Sequence, residues 1–196
     1  MSKTSRKFRV PDALAHVYDF ANTLDTRHFI QHGMRHPLSD ELQSAADLAA
    51  WLSERGLMEE RARLTPAQFH EALQFRKALR DYLGCEPDQR HRRADIVDRL
   101  NEALALFALA AQLSSGKPAM TLQTIRRDAL AGLGAIVTQL YDGAANGTLG
   151  RLKMCDSNEC RRVFYDRSKP GSRRWCQAAL CGNRMKTRAY RERQRA

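Results

Sequence analysis

Four of the five cysteines stand late in the chain as Cys155, Cys160, Cys176 and Cys181: a C-x4-C pair, fifteen intervening residues, and a second C-x4-C pair. Two close pairs joined by a loop bring four thiolates to one point, and zinc takes four sulfurs tetrahedrally without redox chemistry. The pattern predicts one structural Zn2+ whose closed shell leaves no position for a catalytic water. Two disulfides would suit a secreted chain; an iron–sulfur cluster also takes four cysteines, and the spacing leaves it open. Cys85 stands apart at the predicted end of a helix and reads as a buried or incidental thiol.

Charge is distributed just as unevenly. From Arg151 onward fourteen Lys or Arg face four acids, whereas the first 150 residues hold nineteen bases and eighteen acids. A positive field concentrated in 46 residues suits a polyanion-binding module. A segment below about 60 residues has too little core to fold unaided, so the metal would be its staple. Cys155 to Cys160 predicts a knuckle, Val163 to Tyr165 a strand, Lys169-Pro170-Gly171 a turn and Arg173 to Cys176 an antiparallel return. From about Ala178 a helix is expected, with Leu180, Met185 and Ala189 toward the zinc core. Arg184, Lys186, Arg188, Arg191 and Arg193 would point elsewhere.

The stretch from Cys155 to Lys186, with Arg173-Arg174-Trp175-Cys176 and Cys181-Gly182-Asn183-Arg184, resembles the CGNR zinc finger. Phe164 and the Asp166 and Ser168 pair fit the same pattern. Phe20-Ala21-Asn22-Thr23-Leu24-Asp25, Asp47-Leu48-Ala49-Ala50-Trp51-Leu52 and the Arg76 to Arg80 region resemble the ABATE domain that accompanies that finger. The resemblance implies a bacterial stress-induced transcription regulator in which the finger contacts DNA and the front domain senses a ligand.

The front domain reads as helical from its periodicity alone. Val10, Leu14, Val17, Tyr18, Ala21 and Leu24 recur at helical spacing. Ser44 and Asp47 resemble a capping box before a short helix of Leu48, Trp51 and Leu52 that Gly56 would stop, and Thr65, Pro66 and Gln68 open a helix to about Leu83. Arg92 to Leu113 and Ile125 to Ala144 predict two long core helices, with Met120 to Gln123 as one short strand or hairpin edge between them. Gly143, Gly147 and Gly150 mark a boundary, giving a helical domain over 1–148 and a finger over 149–196. The expected fold class is mainly α: a helical N-terminal domain with at most a small β element, then a four-cysteine finger of knuckle, β-hairpin and helix.

Arg76 and Arg80 interrupt the apolar stripe of Phe69, Leu73 and Leu83, which turns both guanidiniums inward. A buried arginine needs a partner, and Asp25, read as lying on the face of Leu14, Tyr18 and Ala21, is one candidate. The other reading makes Arg76 or Arg80 a clamp for a small anion, with Asn22 and Thr23 as neutral donors or acceptors. His28, His32 and His36 are spaced by four, but Gly33 and Pro37 argue against a helix that would align them on a second metal.

No apolar run approaches the roughly 18 residues needed to span a bilayer, and Met1 to Val10 leads into no signal core, so a cytoplasmic protein without membrane partners is expected. No phosphate-binding glycine loop, serine elbow or metalloprotease motif is present, and no catalytic residue is assigned. The expected function is DNA-binding transcription regulation, with double-stranded DNA, a small-molecule effector and a homodimeric second copy as partners. Arg173, Arg174, Asn183, Arg184, Lys186 and Arg188 would divide into phosphate holders and base readers. Gly182 and Asn183 also have structural readings, as a backbone turn and a cap beside the metal. RNA binding is the alternative if Trp175 and Tyr165 can stack on bases; a helical-domain enzyme anchored by the finger is another.

Overall fold

A computed structural model describes residues 10–31, 34–59, 61–113 and 120–194. Among these lie six α-helices: α1 (Ala15–Ala21), α2 (Ala45–Ser53), α3 (Pro66–Leu83), α4 (Ala94–Ala105), α5 (Gly134–Ala145) and α6 (Asn183–Arg193). Four antiparallel two-stranded ladders join them: β1 (Leu24–Asp25) with β4 (Ser39–Asp40), β2 (Ile30–Gln31) with β3 (Met34–Arg35), β5 (Leu109–Leu113) with β6 (Met120–Thr124), and β7 (Leu152–Met154) with β8 (Val163–Tyr165). The fold is mainly α with small β elements, as the sequence implies.

Local chemistry sets the helix starts. Thr65 Oγ1 accepts from the Gln68 N–H at 3.2 Å while the Gln68 side chain accepts from the Thr65 N–H at 2.8 Å, a reciprocal box ahead of Pro66. Ser44 caps α2 through the Asp47 N–H, and the chain leaves that helix through Gly56 at φ +67°. The core is centred on tilted aromatic pairs: Phe20 lies 5.6 Å from both Trp51 and Phe75, and Phe75 lies 5.4 Å from Phe107.

Three helices are shorter than periodicity suggests. The first stops at Ala21, because Thr23 Oγ1 turns back to the Phe20 carbonyl and the Asn22 side chain is used elsewhere; Leu24 and Asp25 form a strand instead. The helix expected over Arg92 to Leu113 ends at Ala105, and five residues from Leu109 join a ladder whose other strand is the expected Met120 segment. The helix expected from Ile125 begins at Gly134, because Asp128 accepts from the Leu130 N–H and from the Arg126 side chain and so fixes a turn over 126–130.

The finger hairpin also differs. β8 pairs with β7, which precedes the knuckle, in the register Leu152↔Tyr165, Lys153↔Phe164 and Met154↔Val163; Arg173 to Cys176 forms no strand. Leu152 and Val163 are wholly buried and belong, with Leu149, to the same hydrophobic cluster as Leu14 and Leu79. The helical part and the finger's hairpin thus share one core across residue 148.

Candidate metal centre and nucleic-acid interface

The knuckle is tied by its own backbone. The Cys155 N–H donates to the Arg162 carbonyl at 2.8 Å, and the N–H groups of Cys160 and Arg161 both donate to the Ser157 carbonyl. These bonds, with the wide π-type turn Ala178–Gly182, bring the four sulfurs within 4.8 Å of one another. Cys155, Cys160 and Cys181 are buried and Cys176 is half-buried. Cys176 Sγ lies 3.7 Å from the sulfurs of both Cys160 and Cys181. Sulfurs held about 2.3 Å from one tetrahedral zinc stand about 3.8 Å apart, so the observed spacing fits that ion.

Proton chemistry supports the same fit. Hydrogen bonds, from Cys160 first, hold the Cys155 thiol far below its ordinary pKa, while contacts with Cys155 and then Cys160 push Cys176 far above. Four sulfurs this close cannot all be thiolates without a cation among them, and a bound dication meets that need. The chain carries one four-cysteine zinc site of the closed, structural type.

Around the sulfurs, the CGNR residues divide their labour. The Arg184 guanidinium donates to Cys181 Sγ at 3.4 Å and stacks over the Phe29 ring at 3.6 Å, so it turns toward the metal and the β2–β3 arm, not away as its helical position suggests. Gly182 has an ordinary helical backbone rather than a turn conformation, but a β-carbon there would stand 3.3 Å from the Trp175 ring. Close approach explains this glycine. Asn183 is exposed and caps nothing: among the described residues its side chain makes no hydrogen bond.

A second hub sits at Asp166, which is fully buried. It accepts from the Ser168 N–H and hydroxyl and from the Arg173 N–H, and faces Lys153 Nζ at 3.6 Å. Burial alone would raise its pKa; the Ser168 and Arg173 hydrogen bonds and the Lys153 charge overcome that and hold it below the ordinary carboxylate value.

Most of the finger's cations fall into two sets. Arg151, Lys153, Arg173 and Arg184 point inward: Arg151 to the Ser168 carbonyl, Lys153 to those of Gly171 and Arg173, Arg173 to that of Cys176. Arg174, Lys186, Arg188, Arg191 and Arg193 are exposed, as are Arg167 and Lys169 in the segment after β8. Arg174 pairs with Asp156, and Arg188 lies 3.6 Å from both Glu159 and Glu192. On α6, Met185 and Ala189 are half-buried one turn apart, while Asn183, Lys186, Thr187, Tyr190, Arg191 and Arg193 are exposed.

Comparison with known families agrees with this architecture. The CGNR zinc finger model matches residues 151–194, and the ABATE model, described as "Putative stress-induced transcription regulator", matches residues 14–144. The chain belongs to the ABATE family. Among curated proteins, none matches the chain.

Within the ABATE part, Arg76 and Arg80 are both buried, with different partners from those expected. Asp25 does not reach either of them: it is locked bidentately to Arg27. Arg76 instead makes a fork to Asp40 at 2.6 and 2.7 Å and donates to Thr23 Oγ1 at 2.9 Å. The β1–β4 ladder sets Leu24 opposite Asp40, which brings that carboxylate in. Arg80 donates to the carbonyls of Ala21, Leu24 and Arg161. Asn22 exchanges two hydrogen bonds with the Val163 backbone, at 3.0 and 3.1 Å. Asn22, Thr23 and Arg76 are thus engaged internally, whereas Arg80 also lines a cavity of about 450 Å³.

Arg90 escaped the sequence reading. It is buried and donates to four carbonyls, those of Leu83, Cys85, Leu149 and Leu152, joining the end of α3 to the first strand of the finger. Its signal, an arginine a few residues after a helix stop, is too common to single out. Of the histidines, His32 lies outside the described residues. His28 and His36 flank the β2–β3 hairpin, where each Nδ1 meets a backbone carbonyl, of Thr26 and Pro37. The His28 N–H and the Thr26 hydroxyl bond the Glu159 and Cys160 carbonyls, so this arm clasps the CGNR knuckle. No helix among the described residues is long and apolar enough to cross a membrane.

Proposed function

We propose that this ABATE protein is a DNA-binding transcription regulator acting in the cytoplasm under stress, and that it holds duplex DNA with the exposed side of α6 together with Arg174. The sorting of the finger's cations carries the reading. The inward set is consumed by the finger's own carbonyls and a sulfur, whereas Arg174 and the α6 cations Lys186, Arg188, Arg191 and Arg193 face solvent with Asn183 among them. Phosphate contacts would come from the cations, and Asn183, at the first turn of α6, has the amide that matches an adenine edge. Single-strand stacking is less favoured: Trp175 packs on the metal cluster and Tyr165 on the helical core. Both matched families are regulator and zinc-finger families, which favours this reading over an enzyme anchored by the finger.

Effector sensing by the ABATE part belongs to the same proposal. A ligand regulates only if it binds the DNA-competent and incompetent states with different affinities. A homodimer would place two such helices along one duplex. Five phosphates neutralised by Arg174, Lys186, Arg188, Arg191 and Arg193 should give a slope of about −4 to −5 for log affinity against log salt, measurable by fluorescence anisotropy on the zinc-loaded protein. Changing Lys186 and Arg191 to Gln together should reduce that slope by nearly two. A salt-insensitive interaction, an unchanged slope in the double variant, or tighter binding to single-stranded RNA would overturn the reading.

A further inference from the structure

We propose that the cavity between the end of α3 and the zinc knuckle binds a small anion carrying a phosphate or carboxylate group, an inference that rests on the effector reading above and gives it a place and a chemistry. The cavity, of about 450 Å³, is walled by Lys77, Arg80 and Asp81 from α3, by Asn158 and Arg161 from the knuckle, and by His28 from the arm. That size admits a small metabolite rather than a bare ion.

The charge balance of the wall points to the ligand's sign. Arg80 is only 7% exposed, and its donors reach backbone carbonyls; no carboxylate bonds to it among the described residues. Burial, then the neighbouring charges of Arg76 and Arg161, push its pKa down against the weaker pull of Asp25 and Asp40, the response of a buried cation with no carboxylate bonded to it. Arg161 stands at φ +48°, a conformation rare outside glycine, which presents its carbonyl to Arg80. Its guanidinium makes no hydrogen bond or ion pair among the described residues. The acid in the wall, Asp81, is matched by Lys77 at 2.7 Å. Two positive charges therefore remain: Arg80 supplies buried charge, and the guanidinium of Arg161 is the fork that phosphate and carboxylate oxygens take up bidentately.

The position matters as much as the charge. One wall is ABATE helix and the other adjoins Cys160, so an anion between Arg80 and Arg161 would tie the front domain to the finger that carries α6. Occupancy would then bias how firmly the finger is held, the kind of differential contact that regulation requires.

The test uses the full-length, zinc-loaded protein with inorganic phosphate as probe and chloride at matched ionic strength as reference. Phosphate should raise the thermal midpoint in a saturable way, and Arg161→Gln should weaken its apparent affinity at least tenfold. Asn158→Asp, at an exposed position, should do the same by placing a carboxylate in the wall. The Lys186→Gln, Arg191→Gln double variant should keep phosphate binding while losing affinity for duplex DNA. The site is refuted if phosphate does no more than chloride, if neither wall variant weakens it, or if the α6 variant abolishes it, since that would move the anion to the DNA surface. Duplex affinity measured on the same samples tests the DNA reading separately, because that reading fails if the α6 variant binds duplex normally, whatever phosphate does.

Discussion

Arg184→Gln separates two meanings of the last residue of the CGNR motif. In the structure its guanidinium lies 3.6 Å over Phe29 and 3.4 Å from Cys181 Sγ. A partly desolvated cation–π contact contributes about 1 kcal/mol, and a hydrogen bond to a charged sulfur about 1.5–3 kcal/mol. Because Arg184 is half-exposed, solvent screening takes the low end of the second figure, and a net loss of about 2 kcal/mol follows. Most of that loss falls on the zinc-bound state, where the sulfurs are all thiolates, so zinc affinity should drop about 30-fold. Competition against a chelator of known affinity reads this directly, and Arg184→Lys, which keeps charge but not the planar stack, should fall between. The salt slope of duplex binding should not change, since the side chain faces inward. Zinc affinity within threefold of wild type, together with a slope reduced by about 0.9, would make Arg184 a phosphate contact and refute the structural assignment.

Two further outcomes follow from carboxylates held by their neighbours. Asp166→Asn presents an amide to the Ser168 and Arg173 donors and leaves Lys153 without a counter-charge, so stability to urea should fall by about 3 kcal/mol at unchanged denaturant slope; a loss below about 1 kcal/mol would deny the hub its role. Asp128 is held at a pKa of about 2 instead of 3.8, chiefly by its Arg126 hydrogen bonds. A depressed folded pKa gives stability that is complete above the unfolded value and lost as pH falls through the folded one, so wild type should lose stability from about pH 4 to 2 and Asp128→Asn should lose less there; parallel acid-unfolding curves would contradict the pairing.

What the sequence revealed was what short-range chemistry decides. The cysteine spacing, the Thr65 box, the Ser44 cap and the inward turn of Arg76 and Arg80 each depend on residues within a few turns of one another. What it concealed depends on partners far along the chain. Asp40 reaches Arg76 because a short ladder folds residues 24 and 40 together, and no local pattern announces that pairing. Leu109 to Leu113 suits a helix as well as a strand, and the five-residue ladder with Met120 to Thr124 decides it. For β8, Arg173 to Cys176 and Leu152 to Met154 are about equally near in sequence, and burial of Leu152 in the helical core favours the latter. Spacing alone puts Arg184 on the outer side of its helix, whereas a sulfur and an aromatic ring from another segment draw it inward.

The shared core has a consequence for how the protein is made. Synthesis runs from the N-terminus, so all the ABATE helices emerge before the residues that finish their packing: Leu152 and Val163 belong to the same cluster as Leu14 and Leu79. At 5–20 residues per second, the stretch from Leu149 to Val163 takes roughly one to three seconds to appear. During that interval the nascent helical part carries an uncovered apolar face, and Arg90 waits for the carbonyls of Leu149 and Leu152. The last turn of folding at the ribosome is then a closing step in which the finger's hairpin docks and brings Cys155 and Cys160 beside the clasping arm. A slow codon or a pause before Val163 would lengthen the exposure of that face to chaperones and to other nascent chains.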